Sequence, residues 1–267
     1  MIKVDFAKDW APVFEKAGLK SLQDFFDYSA GQTINKNQKR EVVTMNLDTT
    51  AGTKQLFMKR FFNPHLKDTL FTIRNFGTLC SQAACEWKNA YLLLQKGIDT
   101  YHPVCYGRQM RFPIEKKSFI ITEKINGLPL TDFVADKWLQ LDQPQKEKII
   151  TAIAKLVRKI HNAKISLPDL YLWHIFITKT PLPAQLSEDD FAVIDLHRMR
   201  INVSSKNARI RDLAALDFSM LAKYFDDNLR EIFLNAYSNA GTEQIALSRK
   251  IKKRSRVLAN RRRKPDY

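Results

Sequence analysis

The sequence predicts an α+β fold of two lobes, strand-rich in its first half and helix-rich in its second. Three observations carry that expectation. Strand-type apolar runs concentrate between residues 41 and 125, apolar positions beyond residue 130 recur largely at helical spacing, and Asn126-Gly127-Leu128-Pro129 breaks the pattern between the two regimes. The expected organisation is a first lobe over residues 1–125, a second over 126–246, and a basic tail over 247–267. A chain of 267 residues has room for one large domain or two modest lobes.

Taken in order, residues 8–28 read as one or two short helices, with AGLKSLQDFF carrying apolar positions at helical spacing. EVVTMNL and KQLFMKRFF are strand-like, and DTTAGT between them has turn chemistry, which predicts a hairpin. SQAACEWKNAYLLLQKG predicts a helix that stops at Gly97. YHPVCYGRQM and KSFIITEKI read as two further strands. TDFVADKWL is a short helix, and residues 144–163 form a long amphipathic one with Pro144 near its start. WHIFIT and FAVIDL are short strands around a polar loop with two prolines. RIRDLAALDFSMLAKYF and DNLREIFLNAYSNAG are helices, the second ending at Gly241. Function in such a chain is expected in the cleft between the lobes.

Composition excludes several classes. Hydrophobic residues at 45% and charged residues at 27% are globular values, not those of a disordered chain. No apolar run reaches the ~18 residues of a membrane-spanning helix, and MIKVDFAKDW lacks the apolar core of a secretory signal. Cys80, Cys85 and Cys105 form no CxxC pair and no disulfide framework, which points to a reducing cytoplasm. The net charge is +16, and Ser248–Tyr267 contributes +9 of it through ten lysines and arginines against one aspartate. Such a segment suits an anionic surface, phospholipid headgroups, a phosphorylated glycolipid or nucleic acid, or else is simply solvated.

Six residues could carry chemistry in one constellation. Lys59 sits in the strand LFMKRFF and Glu86 on the following helix. Singly they read as an outward-facing lysine and a polar-face glutamate. As a pair they match the device in which a glutamate holds an ammonium against the α- and β-phosphates of ATP. Asp169 precedes His174 by five positions, the offset between the base aspartate and the metal-binding asparagine of a kinase catalytic loop. Alone, Asp169 is a turn residue after Pro168, and His174 a packed core histidine. Asp195 ends the strand FAVID, where kinases hold Mg²⁺. Asp212 opens a helix, either as a dipole-compatible acid or as a brace for the loop backbone. The order lysine, glutamate, apolar strands, helix, Asp-x4-His, strand-aspartate, helix-aspartate predicts a bilobal protein-kinase-like fold.

LPDLYLWHIFI and FAVIDLHRMRI make the resemblance specific: they resemble the lipopolysaccharide kinase family, the WaaP-like and Kdo kinase group. That family carries H-R-D-x-Y-x-x-H-F, then I-D-L-H-R, then R-D-L-A-A-L-x-F-S, and Arg211–Ser219 matches the last. The likeness runs from about Leu19 to Tyr237 and is most specific at Val193–Arg198. SFIITEKI resembles the hinge strand that holds adenine. The resemblance implies that Lys59 binds ATP phosphates and Glu86 holds it, and that Asp169 is the catalytic base. It also implies that His174 and Asp195 lie beside the metal and that Glu123 and Ile125 offer backbone groups to adenine. It implies ATP and Mg²⁺, a heptose or Kdo hydroxyl of the lipopolysaccharide core or a related glycolipid as acceptor, and work at the inner face of the cytoplasmic membrane. The basic tail would hold the enzyme to that anionic surface, with nucleic acid the less favoured partner.

Three departures shape the expectations. Leu167-Pro168 stand where the family has His-Arg, which predicts a differently braced loop. Only Gly52 lies in the first hairpin turn, so no glycine-rich loop covers the phosphates. The stretch NPHLKDTLFTIRNFGTL reads as an insertion near the cleft. Two rival readings remain: a small-molecule kinase of aminoglycoside-phosphotransferase type, and a pseudokinase scaffold with an anion-binding tail.

Overall fold

The computed structural model describes residues 1–64, 72–73, 75–111, 114–238, 242–261 and 265–267. Part of the expected insertion over 63–79, and the expected helix end at Gly241, lie outside the described residues. The chain divides into two compact units, Met1–Leu94 with Tyr101–Lys124, and Gln95–Thr100 with Ile125–Tyr267. The segment 95–100, expected in the first lobe, thus belongs to the second unit.

The first unit is built on a six-stranded antiparallel sheet. Its strands are β1 (Ile2–Phe6), β2 (Thr33–Asn37), β3 (Arg40–Thr49), β4 (Gly52–Phe62), β6 (Pro103–Arg111) and β7 (Ile114–Glu123), in the order β1-β6-β7-β4-β3-β2. The expected hairpin is β3–β4, in register from Arg40↔Phe61 to Thr49↔Gly52. Gly52 has φ 109°, a backbone conformation that favours glycine. Strand alternation divides the sheet into two faces. Leu56, Met58, Phe119 and Ile121 enter a core with Phe14, Leu22 and Phe25 from α1 (Ala11–Lys16) and α2 (Leu22–Asp27). Phe61 and Ile120 point the other way, against Ala83 and Trp87 of α3 (Gln82–Gln95). Gly107 lies opposite Phe119, and a Cβ there would sit 2.4 Å from the Phe119 ring, so the close approach of strand and ring requires glycine.

Arg60, 5% exposed, is a polar member of the core face. Its guanidinium pairs with Glu41 at 2.9 Å across the hairpin and donates to the carbonyls of Phe25 and Tyr28, which are left over at the end of α2. A buried cation thereby finds both charge and hydrogen-bond partners.

The second unit carries a small sheet, β5 (Asp99–Thr100), β10 (Phe191–Val193), β9 (Ile175–Ile177) and β8 (Leu128–Pro129), with β5 parallel to β10 and the other pairs antiparallel. Its helices are α4 (Leu130–Lys137), α5 (Gln143–Asn162), α6 (Lys206–Ser219), α7 (Asp227–Tyr237) and α8 (Thr242–Ala259). α5 starts where the sequence indicates: Asp142 accepts from the Gln145 N–H, the Gln145 side chain answers the Asp142 N–H, and proline occupies the first turn. α6 stops at Ser219 rather than continuing to Phe225. Strands β2, β5 and β8 have too few apolar positions to announce themselves, and pairing to longer neighbours makes them strands, whereas the alternation of Ile2, Val4 and Phe6 in β1 is a legible strand signal that the sequence reading missed.

The basic segment is largely helical. α8 runs through Ala259, Ile251 on it is 5% exposed, and Leu258 and Ala259 pack against Tyr171, Ala215 and Phe218. Helices α6, α7 and α8 also enclose a cavity of about 640 Å³, with Leu213, Phe233 and Ile251 among its lining and Arg249 and Lys252 from α8.

Candidate active site

In the first unit the structure brings Lys59 and Glu86 together. β4 and β7 pair so that Lys59 lies opposite Ile120, on the face that α3 covers. Lys59 Nζ donates to Glu86 Oε1 at 2.6 Å, and the Glu86 side chain is only 2% exposed. The ammonium also lies 5.5 Å from the Phe61 ring centroid. A carboxylate so buried needs a cationic partner, and Lys59 supplies it.

Glu115 fixes the start of α3. It is 1% exposed, Oε2 accepts the Gln82 N–H at 2.8 Å, and Oε1 accepts the Ser118 hydroxyl. Ser118 Oγ in turn accepts the Ala83 N–H at 3.3 Å. Two strand residues thus satisfy N–H groups that the helix leaves unpaired, with a negative charge at the positive end of its dipole. Glu86 sits one turn further on. Nothing in IEKKSFI marks Glu115 for this task, because its partner is a backbone group distant in sequence.

The expected adenine-facing residues fall at the end of β7. The Glu123 N–H already donates to the His102 carbonyl at 2.8 Å, and its side chain pairs with Lys54 at 2.5 Å. Ile125 is half-buried and is the first residue of the stretch that continues the second unit.

In the second unit Asp169, His174 and Asp195 come together. β9 begins directly after His174 and β10 ends just before Asp195. The antiparallel pairing Val193↔Ile175, extended by the Ile194 N–H to the His174 carbonyl at 2.9 Å, sets the two residues side by side. His174 Nδ1 lies 2.7 Å from the Asp169 carbonyl oxygen. A carbonyl only accepts, so Nδ1 carries the proton and Nε2 is directed to Asp195 Oδ2, 3.8 Å away. His197 Nδ1 approaches Asp195 Oδ1 at 2.7 Å. Asp195 has φ 62° and ψ 60°, the left-handed region that aspartate enters more readily than most residues.

The loop bearing Asp169 is braced from behind. Ser166 and Arg200 exchange backbone hydrogen bonds at 2.9 Å, which carries Arg198 to the loop. Arg198 Nη1 lies 3.1 Å from each carboxylate oxygen of Asp169. Asp212, fully buried, accepts the Leu167 N–H at 2.9 Å, and His161 Nε2 stands 3.4 Å from the same oxygen. Arg211 donates to Ser166 Oγ at 2.9 Å. The Leu172 N–H donates to Ser219 Oγ at 2.8 Å. The altered brace expected from Leu167-Pro168 is therefore a main-chain one. Arg198 stands inside VIDLHR, but its pairing with Asp169 was not foreseen, because the Ser166–Arg200 bridge that creates it joins two irregular segments.

An ion-paired strand lysine and helix glutamate, and an Asp-x4-His loop beside a strand-terminal aspartate, define a phosphotransferase of protein-kinase-like fold. The model of the lipopolysaccharide kinase (Kdo/WaaP) family matches residues 26–237, and the chain belongs to that family. It is similar to the lipopolysaccharide core heptose(I) kinase WaaP of Escherichia coli, 29% identical over 224 residues that cover 82% of this chain and 80% of the relative. The protein of that name from Pseudomonas aeruginosa is 34% identical over 141 residues, 51% of this chain and 52% of its own. A solved structure of WaaP in complex with acyl carrier protein has the same fold, with a TM-score of 0.71 at 23% identity, covering 96% of this chain and 99% of that one. The chain is thus a kinase of a lipopolysaccharide-synthesis family.

Proposed function

We propose that this kinase transfers the γ-phosphoryl group of ATP to a heptose hydroxyl of the lipopolysaccharide core. The observation that carries the reading is the Lys59–Glu86 ion pair, a buried 2.6 Å contact on a strand and helix of a chain in this kinase family. The acceptor class is supported by relatives named as heptose(I) kinases.

In this mechanism Asp169 accepts a hydrogen bond from the attacking hydroxyl and takes its proton, while Lys59 neutralises phosphate charge. Glu123 and Ile125 contribute backbone groups to adenine, Glu123 through its carbonyl, since its N–H is committed to His102. The donor set beside Asp169 fits a divalent cation: a carboxylate with an imidazole whose other nitrogen is fixed by a backbone carbonyl. Asp195 and His174 would hold Mg²⁺, which supplies charge neutralisation on the phosphate oxygens.

The basic segment holds the enzyme to an anionic membrane surface, where a glycolipid acceptor resides, with ~1 kcal/mol from each basic residue near the surface. No described helix is long and apolar enough to cross a membrane. The attachment proposed is electrostatic, and high salt releases it. The cavity of about 640 Å³ beside Arg249 and Lys252 supports a second occupant for the same face, acyl carrier protein, the partner in the solved relative. Binding to anionic vesicles and to acyl carrier protein, measured in parallel, separates the two.

The reaction is tested with purified protein, Mg²⁺-ATP and dephosphorylated core oligosaccharide, the product site being read by ³¹P NMR. Phosphate on heptose, lost in Asp169→Asn, is the expected result. Phosphate on Kdo moves the acceptor within the core. ATP binding without transfer to any core acceptor overturns the reading in favour of a small-molecule acceptor or a pseudokinase.

A further inference from the structure

The strongly basic segment reads, in sequence, as something separable from the enzyme. Its contacts are those of an integral part. Leu258 and Ala259, at the end of α8, pack on the cluster of Tyr171, Phe218 and Ala215, which Trp173 joins. Tyr171 and Trp173 stack at 4.5 Å between centroids with 11° between planes. Both rings stand edge-on to His174, at 5.9 Å. These three residues lie within the same six-residue stretch as Asp169.

A second contact comes from Tyr267. Its hydroxyl donates to the Ser219 carbonyl at 2.6 Å and accepts from the Leu221 N–H at 3.3 Å, and its ring stacks on Tyr224. Ser219 is fully buried, and its hydroxyl is the group that receives the Leu172 N–H. Two contacts from one segment therefore converge on the loop, one through aromatic packing and one through Ser219.

We propose that Leu258 and Ala259, together with Tyr267, position the Asp169–His174 loop, with Leu258 and Tyr267 as positioning residues for phosphoryl transfer. The proposal rests on the reading of Asp169 as the base. The physical cause is the steep dependence of transfer on the geometry of the base: displacements near 1 Å cost up to about a hundredfold in rate. The Lys59–Glu86 pair that would meet the ATP phosphates lies on the first unit, whereas His174 of the loop would meet the metal, so affinity for ATP without Mg²⁺ and turnover should part company.

The test uses the full chain with Leu258→Ala, Leu258→Met and Tyr267→Phe. Leu258→Ala and Tyr267→Phe are expected to lower kcat about tenfold each, with the dissociation constant for ATP in the absence of Mg²⁺ unchanged. Leu258→Met conserves volume and should stay near wild type. Hydrogen exchange at the Leu172 amide should accelerate in the two impaired variants. Unchanged kcat and unchanged Leu172 exchange overturn the proposal. So does a parallel loss of kcat and of affinity for ATP without Mg²⁺, which is general destabilisation. Full turnover in Asp169→Asn would instead overturn the reading of the base. If the wild type phosphorylates no acceptor, the exchange measurement still decides whether the segment holds the loop.

Discussion

Arg198 grips both carboxylate oxygens of Asp169 through a single guanidinium nitrogen, at 3.1 Å to each. The arrangement fixes the carboxylate plane while leaving lone pairs on both oxygens for an incoming hydroxyl. Arg198→Ala should lower kcat about tenfold, and Arg198→Lys should restore part of it, because lysine keeps the charge but not the planar fork. Asp169→Asn should cost ~10²- to 10⁴-fold. Steady-state kinetics with saturating ATP measures all three.

Lys59 and Glu86 should be unequal to replace singly and milder to replace together. Lys59→Met leaves a carboxylate 2% exposed without that partner, at a cost of about 3–5 kcal/mol. Adding Glu86→Gln should recover much of this stability while ATP affinity stays lost. Denaturant unfolding and nucleotide titration on the single and double variants close the cycle.

Asp212 carries the Leu167 N–H, and at zero exposure no water replaces it. Asp212→Ala should destabilise by about 1–3 kcal/mol and slow turnover, since the unpaired amide lies two residues from Asp169. Asp212→Asn retains an acceptor oxygen and should fall between the two. Thermal melts beside kinetic runs distinguish the effects.

Alkaline pH should unfold the protein through its buried tyrosines. Burial pushes the hydroxyls of Tyr237 and Tyr267 up to about 12, from an ordinary value of 10. Between pH 10 and 12 the unfolded chain releases these protons and the folded chain keeps them. Stability is thus full below pH 10 and declines as pH rises toward 12. Tyr237→Phe should flatten that decline, as followed by urea midpoints at pH 9, 10 and 11.

What the sequence disclosed follows the range of the interactions. The β3–β4 hairpin, α3 and α5 announce themselves through local periodicity and turn or capping chemistry, and the meeting of Lys59 with Glu86 and of His174 with Asp169 and Asp195 follows their order along the chain. The braces did not. Glu115 meets Gln82, Leu167 meets Asp212 and Arg198 meets Asp169 through isolated long-range contacts, the first two of them to main-chain amides that have no residue identity to read. The packing of the basic segment was hidden for a related reason: its charge density is visible, whereas the few apolar positions that seat it, Ile251, Leu258 and Ala259, are sparse among the cations.

Asp195 holds a left-handed backbone at φ 62°, and that constrains which inert forms of the protein can be made cleanly. Most side chains resist this conformation, so an alanine there would trade strain for lost charge and blur the two. Asparagine accepts the same dihedrals and is nearly the same shape. Asp195→Asn is therefore the substitution for trapping nucleotide and acceptor together: a chain that should fold as the parent does while lacking one negative charge.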